Sequence, residues 1–249
     1  MVKIVLTPDW FLGFDVLIEV FSFIVLAIFC ALSIKNYRVD REKKGFLYMA
    51  IGFGLVALAQ LATILTKTIL YYDFDPIQQI GNSIVASQIV NSVDIFYYIG
   101  FFFYRFLTLV GLYIIYRLHN TRTYLGDILI FCYFILLSIL ASTEIYYFFH
   151  LTALALLLLI TRNYYGIYKE NHFKNTKTLM VAFGILALSQ LLFVFSPGVV
   201  QVSANIVELI SYILLLFLSI KIRKNGKEKK SNGDNIRYVG SNSAKRRKH

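Results

Sequence analysis

Several ionisable side chains lie inside long apolar segments of this 249-residue chain, where an uncompensated charge is costly. Asp15 and Glu19 are four residues apart, so a helix would place both carboxylates on one face. Farther along, Arg105, His150 and Glu208 interrupt three other apolar segments. Such residues in apolar helices usually face the protein interior, where they bind a ligand, relay protons or connect helices.

Other polar side chains line up with Arg105 and Glu208 at helical spacing. Each set forms one stripe along its helix, with Asp94, Tyr98, Arg105 and Thr108 in the first stripe and Gln201, Asn205, Glu208 and Tyr212 in the second. We predict a polar pocket that opens outward, with Arg105 as its floor and Glu19 or Glu208 as the partner of Arg105. The predicted ligand-binding residues are Asp15, Glu19, Asp94, Tyr98, Arg105, His150, Asn205 and Glu208.

Three interpretations of this pocket stay open. The first is structural, with one ion pair and several hydrogen bonds that hold neighbouring helices together. The second is a site for a small ligand or an ion. The third is a proton path through Asp15, Glu19, His150 and Glu208.

Sequence motifs of common catalytic and metal sites are missing. His150 belongs to neither an H-x-x-x-H nor an H-E-x-x-H pattern, so we predict no metal site there. The sequence also lacks a GxSxG motif, a P-loop and a dinucleotide-binding fingerprint. We therefore expect neither an enzyme nor a bound cofactor.

The composition indicates that these residues lie in a membrane protein. Hydrophobic residues make up 58% of the chain and charged residues 16%, and the mean hydropathy is +0.65. Soluble domains have about 45–50% apolar and about 25% charged residues, so this chain has too little polar surface to cover a soluble core. We predict an all-α integral membrane protein in contact with the lipid bilayer.

Seven apolar segments are long enough to span a bilayer. The fourth and fifth are separated only by the polar residues 142–144, but a single helix over both would be about 58 Å long, far beyond the hydrocarbon thickness. We predict seven spans at Trp10–Ile34, Phe46–Leu70, Asp94–Arg117, Tyr124–Ser142, Glu144–Arg162, Thr178–Ser196 and Val199–Lys221.

The segment between the second and third spans, Tyr71–Val93, is the longest predicted loop and lacks basic residues. Ile77, Ile80 and Ile84 recur in it at helical spacing. Two interpretations stay open: an amphipathic turn that lies on the outer membrane surface, or an outward extension of the third span.

The basic residues indicate the orientation. The net charge is +11, and 22 of the 25 Lys and Arg residues lie in the first, third and fifth loops or in the tail. The exceptions are Lys3, Lys67 and Arg105. By the positive-inside rule, we expect a multi-pass protein of the cell membrane with its N-terminus outside and its C-terminus in the cytoplasm. This distribution explains the positive charge, so we predict no nucleic-acid partner.

The tail, residues 222–249, is basic and rich in Asn, Ser and Gly. This composition favours disorder. Its charge would attract anionic lipid headgroups or an acidic protein partner.

An internal repeat relates the second and sixth spans. Phe53–Leu61 aligns with Phe183–Leu191 with six identities in nine positions, and Lys35-Asn36-Tyr37 aligns with Arg162-Asn163-Tyr164. We predict two parallel three-helix repeats, 10–117 and 144–221, joined by a linker helix at 124–142. Parallel repeats of this kind occur in some small transporters.

The basic-Asn-Tyr helix end, the short basic loop after it and the Phe-Gly-x-x-Ala-Leu motif resemble uncharacterised archaeal multi-span membrane proteins. The 3+1+3 layout is similar to opsins and to seven-helix input regions of prokaryotic sensor kinases. The resemblance implies a seven-helix membrane domain with a receptor-like role. It does not imply retinal, because Lys221 lies at the inner end of the last span.

Three functions stay open for this chain. The first is receptor- or sensor-like binding of a small ligand or ion in the outward pocket. The alternatives are a small-solute transporter or channel, and a structural membrane protein without a ligand.

Overall fold

The computed structural model describes residues 9–11, 13–42, 44–72, 83–118, 124–139, 146–195 and 199–246. In 83–97 and 225–246 the description covers the backbone alone. A short 3₁₀-helix, Asp9–Phe11, precedes seven α-helices, and the described residues form no strands. The helices are α1 Phe14–Val39, α2 Gly45–Tyr72, α3 Ser83–Arg117, α4 Tyr124–Ile139, α5 Tyr146–Asn171, α6 Lys174–Val194 and α7 Val199–Arg246.

The chain is an all-helical membrane protein. Among the described residues, six helices are long and apolar enough to cross a bilayer, namely α1, α2, α3, α5, α6 and α7. Helices suit this setting because each satisfies its own backbone hydrogen bonds where no water is available. The region of the predicted fourth span contains the shorter helix α4 of 16 residues, which is not one of these six, and residues 140–145 after it lie outside the description.

The remaining boundaries differ from the predicted spans at a few points. Helix α3 begins at Ser83, before the predicted start of the third span at Asp94. For residues 83–93 this agrees with an extension of the third span and not with a separate surface turn. Ile77 and Ile80 lie outside the description. Helix α5 continues past Arg162 to Asn171.

The tail differs more strongly from the sequence prediction of disorder. Helix α7 continues from the last span through Arg246, and only residues 247–249 of the tail lie outside the description. Lys and Arg are good helix formers. Propagation from an existing helix also avoids the cost of nucleating a new one.

The helices pack as two groups of three. Helix α2 lies between α1 and α3, and α6 lies between α5 and α7. The groups meet through α1 with α7 and through α3 with α5, while α4 packs mainly against α3. At the centre, the buried rings of Phe53 and Phe183 stack with centroids 6.3 Å apart and an angle of 13° between their planes.

Helices α2 and α3 approach each other closely at two glycines. A Cβ atom on Gly52 would lie 3.0 Å from the carbonyl oxygen of Gly111, and one on Gly111 would lie 2.8 Å from that of Gly52. In the other group, Ala182 of α6 accepts a hydrogen bond of 2.8 Å from the Ser211 hydroxyl of α7. The first pair thus requires glycine, and the second uses a small polar contact.

Helix α4 is fixed to the end of α3 by a polar contact. The Asp127 carboxylate accepts hydrogen bonds from the Tyr113 hydroxyl at 2.5 Å and from the Arg117 guanidinium at 2.6 Å. Farther along α4, the hydroxyls of Tyr133 and Thr152 lie 2.7 Å apart and connect α4 to α5.

Candidate functional site

An ion cluster connects α1 and α2 at the beginning of α1. The Lys67 ammonium donates to Asp15 Oδ2 at 2.8 Å and to Glu19 Oε1 at 2.5 Å. The two carboxylates share one face of α1, and α2 runs back along α1, so its final turns bring Lys67 to their level. The Asp15 side chain is 1% exposed and that of Lys67 is 18% exposed, so water screens this cluster little.

The other oxygen of Asp15 stabilises the beginning of α1. Oδ1 accepts the backbone N–H groups of Gly13 at 3.1 Å and Val16 at 2.9 Å. Gly13 has a φ of 91°, which a residue with a side chain rarely adopts. Asp15 therefore binds both Lys67 and the N-terminus of α1, where a negative charge is favourable.

Glu19 uses only one of its two carboxylate oxygens. Its Oε1 binds Lys67, but its Oε2 is buried and has no hydrogen-bond partner among the residues that the structure describes. A buried carboxylate oxygen without a partner is costly, because it has lost its hydration. This oxygen is an unused acceptor inside the bundle.

A second carboxyl group reaches the same region from α7. Glu208 is hydrogen-bonded to Tyr212, which is also hydrogen-bonded to Gln60 of α2. Glu19 and Lys67 lie close enough to Glu208 to interact with it electrostatically, and Tyr104 of α3 interacts in the same way with Glu19 and Glu208. We name this set the seam cluster, with members Asp15, Glu19, Gln60, Lys67, Tyr104, Glu208 and Tyr212.

The position of the seam cluster follows from the packing of the two helix groups. Its residues come from α1, α2 and α3 on one side and from α7 on the other. Because α1 packs against α7, the cluster lies where the groups meet. Tyr212 is 2% exposed and Gln60 is 5% exposed, so their hydrogen bond lies in the interior.

Arg105 and His150 lie toward α5. The Arg105 guanidinium is 5.9 Å from the centroid of the Phe149 ring and interacts electrostatically with His150. Nδ1 of His150 is 2.8 Å from Oε1 of Gln190, and the imidazole stacks on Phe193 at 5.0 Å. His150 is therefore held by packing and one hydrogen bond.

The structure brings together three of the predicted residues: Asp15, Glu19 and Glu208. The predicted pairing of Arg105 with Glu19 is wrong, because the Lys67 ammonium takes Glu19 Oε1 and Oε2 has no partner among the described residues. The hydrogen bond of Glu208 comes from Tyr212, and Arg105 lies over Phe149 instead.

The seam cluster does not include the other predicted residues, Asp94, Tyr98 and Asn205. Tyr98 is 53% exposed at the bundle surface, and Asn205 is half-buried on α7, one turn before Glu208. Asp94 lies in the helical backbone of α3, and its side chain is outside the description. Ligand binding by Asp94 and Asn205 stays a prediction.

The residue that sequence reasoning missed is Lys67. It lies inside the second predicted span, three residues before the end at Leu70, and is an exception to the charge distribution. Its position inside an apolar segment is the available signal, since an ionisable residue there usually has an intramembrane partner.

The seam cluster can make contacts by charge and by hydrogen bonds. It contains three carboxyl groups, one ammonium group and two phenols. Among the residues that the structure describes, no group of three or more His, Cys, Asp or Glu side chains is arranged to hold a metal ion.

Comparison of the chain with protein-family models, with curated proteins and with solved structures finds no match.

Proposed function

We propose that the chain has seven spans, with two related parallel halves, α1–α3 and α5–α7, joined by α4. Support comes from burial in the repeated segment. Residues 51–60 and 181–190 have the same order of exposed, half-buried and buried positions at all ten sites. Sequence similarity between two apolar helices is weak evidence alone, but equal burial means that both helices occupy equivalent positions in their groups.

The contacts between the groups also fit a two-fold relation. Exchanging the halves converts the α1–α7 contact into the α5–α3 contact, and both are present. Phe53 and Phe183 are equivalent in the repeat, and their rings stack on each other. A contact between equivalent residues is expected where a two-fold axis passes.

The α2–α3 and α6–α7 contacts supply a register that sequence comparison alone does not give. Gly52 and Ala182 are equivalent, and their carbonyl groups lie against Gly111 and Ser211, respectively. Matching Gly111 with Ser211 aligns α3 with α7. In this register the position of Glu208 corresponds to Thr108, whose buried hydroxyl has no hydrogen-bond partner among the described residues.

The position of α4 supports its role as the connecting span. Helix α4 begins beside the end of α3, at the Arg117–Asp127 contact, whereas α5 begins beside the middle of α3, at the Arg105–Phe149 contact. Arg105 and Arg117 are 12 residues apart, about 18 Å along a helix. We propose that α4 returns the chain over this distance as the fourth span. With the basic loops and tail on the inner side by the positive-inside rule, seven spans would leave the N-terminus outside the cell and the C-terminus in the cytoplasm.

Cysteine labelling tests this topology. With Cys30 and Cys132 replaced by alanine, we expect an impermeant thiol reagent outside intact cells to label Ser142→Cys, after α4, and not Arg122→Cys, before α4. Labelling of both positions from the same side would contradict a membrane-crossing α4.

We propose further that the protein binds a small ligand at the seam cluster in a receptor- or sensor-like role. The observation that carries this proposal is the meeting of Glu19 and Glu208, from opposite helix groups, inside an apolar bundle with one ammonium group nearby. A ligand at this point contacts both groups, so its binding energy can change how they pack.

Ligand-dependent thermal stability tests this function. We expect at least one compound of a broad metabolite panel to raise the melting temperature of the purified protein in detergent, and Glu208→Gln or Glu19→Gln to abolish the shift. Asp127→Asn is the matched control, because it removes a carboxylate that pairs with Arg117 outside the cluster. If the cluster variants only lower stability and no compound acts, the cluster is structural.

Transport by the same site is the second candidate. The observation that favours it is the two-fold arrangement, because two parallel halves that move against each other can open a site between them to either side. Reconstituted protein would then catalyse gradient-driven flux that Glu208→Gln reduces and Asp127→Asn does not. Absence of flux for a ligand that binds at the seam cluster would favour sensing.

A further inference from the structure

We infer that the ligand of the seam cluster is a small organic ammonium ion, held between Glu19 on α1 and Glu208 on α7. This inference rests on the proposed ligand-binding function and specifies its ligand class.

The cluster already binds one alkylammonium group, which is its own Lys67. That group lies between two carboxylates, with N–O distances of 2.8 Å to Asp15 and 2.5 Å to Glu19. These are the short distances of charge-assisted hydrogen bonds. The chain therefore contains a direct example of the recognition that a free amine would use.

Lys67 leaves some of the carboxyl oxygens in the cluster without a cation. One ammonium group faces three carboxyl groups in the cluster, and Arg105 interacts with Tyr104 and His150 at its edge toward α5. The Oε2 atom of Glu19 is buried without a partner among the described residues. A positive ligand would supply the missing donor to this oxygen and compensate Glu208 at the same time.

The remaining groups favour an organic ammonium ion over a metal ion. Tyr104 interacts electrostatically with both Glu19 and Glu208, and Tyr212 is hydrogen-bonded to Glu208, so the cluster brings two phenol side chains to its carboxyl groups. Ammonium ions bind well to aromatic faces. Metal ions instead prefer several convergent ligands, and the described residues provide no group of three suitable side chains.

The location predicts a consequence of binding. Glu19 belongs to the α1–α3 group and Glu208 to the α5–α7 group, so one ammonium ion would join them at the α1–α7 contact. Repulsion between the two carboxylates would be replaced by attraction to a shared cation. Binding should therefore draw α1 and α7 together.

The experiment uses the full-length protein in detergent at constant ionic strength and compares n-butylammonium, n-butanol, butyrate and sodium as probes. We expect n-butylammonium to raise the melting temperature saturably and the other three to have little effect. Glu208→Gln should weaken the apparent affinity about tenfold or more, as expected when a charge-assisted contact is lost. Glu208→Asp should restore most of it, and Asp127→Asn should leave it unchanged.

The possible results separate this inference from the proposed function. A saturable effect of butyrate or butanol that Glu208→Gln removes would overturn the ammonium inference and keep the ligand site. An equal effect of sodium would also overturn it, since it would indicate a general salt effect or a metal-ion site. If Glu208→Gln fails to fold, the apparent affinity of Glu19→Gln for n-butylammonium tests the same ligand contact from the α1 side. Absence of any saturable ammonium effect on the unmodified protein contradicts the inference directly.

Discussion

The α1–α3 and α5–α7 groups share an apolar framework but differ in their polar side chains. Residues 51–60 and 181–190 are buried in the same order, and Phe53 and Phe183 stack on each other. The first group adds the Asp15–Glu19–Lys67 ion cluster at its end. By the repeat alignment, the positions of the second group that correspond to this cluster are Ser142, Tyr146 and Pro197, which carry no charge. The repeated residues thus build the scaffold, and the residues that differ build the candidate site.

The largest effect is expected at the contact between the two groups. Phe53→Ala and Phe183→Ala should each lower the free energy of unfolding by about 4 kcal/mol, because each removes a fully buried ring. If the groups are related by a two-fold axis, the two losses should be nearly equal. The double variant should lose less than their sum, since the rings are in contact. Denaturant unfolding in detergent measures all three.

Strongly unequal losses would break the equivalence of the two groups. Phe29→Ala is a control in the same core, because Phe29 contacts Phe53 at 5.2 Å and has no equivalent aromatic residue in the repeat. Its effect should be additive with that of Phe183→Ala, since these two residues are not in direct ring contact.

The second effect concerns the ion cluster that the α5–α7 group lacks. Lys67→Met should destabilise the protein by about 3 kcal/mol, because it leaves Asp15 and Glu19 without their cation in a buried environment. Adding Glu19→Gln should recover part of this loss, since it removes one of the unpaired charges. The measurement is thermal unfolding of the single and double variants. A double variant that is less stable than Lys67→Met would contradict the assigned pairing.

Much of the fold follows from the sequence for a physical reason. A helix in lipid needs a long apolar segment, so the existence of α1, α2, α3, α5, α6 and α7 can be read from hydropathy. The ends are less predictable, because nothing in the hydropathy limits a helix after it leaves the apolar layer. The continuations of α5 to Asn171 and of α7 to Arg246 are examples.

The candidate site is less predictable than the spans. The spacing of Asp15 and Glu19 predicts a shared face, and this is confirmed by their common partner. Which cation they bind depends on how α2 lies against α1, and helical periodicity contains no information about contacts between helices. Lys67 and Arg105 were equally suitable in the sequence, and only the packing distinguishes them.

The third effect tests the close α2–α3 contact against the corresponding segment of α6. Gly52→Ala should cost about 2 kcal/mol, because the new Cβ would lie 2.5 Å from Ile115 and 3.0 Å from the Gly111 carbonyl oxygen. Gly184→Ala is the control, since its Cβ would lie 3.8 Å from Thr161, at ordinary contact distance. It should leave stability unchanged or raise it by up to about 1 kcal/mol, the helix preference of alanine over glycine. Equal effects of the two substitutions would refute the difference in helix spacing.

The smallest effect distinguishes two equivalent glutamines. Gln60 is hydrogen-bonded to Tyr212 across the contact between the groups, whereas Gln190 is bonded to His150 within its own group. Gln60→Leu and Gln190→Leu should each cost about 1 kcal/mol, the usual net value of one hydrogen bond, so stability alone will not separate them. Thiol accessibility will, because only loss of the Gln60 bond loosens α7 against α2. With both native cysteines removed, a cysteine introduced at the fully buried Ala204 of α7 should react faster with a thiol reagent in Gln60→Leu and at an unchanged rate in Gln190→Leu. A change of the same size in both variants would mean that both amides restrain α7 equally, despite their different hydrogen-bond partners.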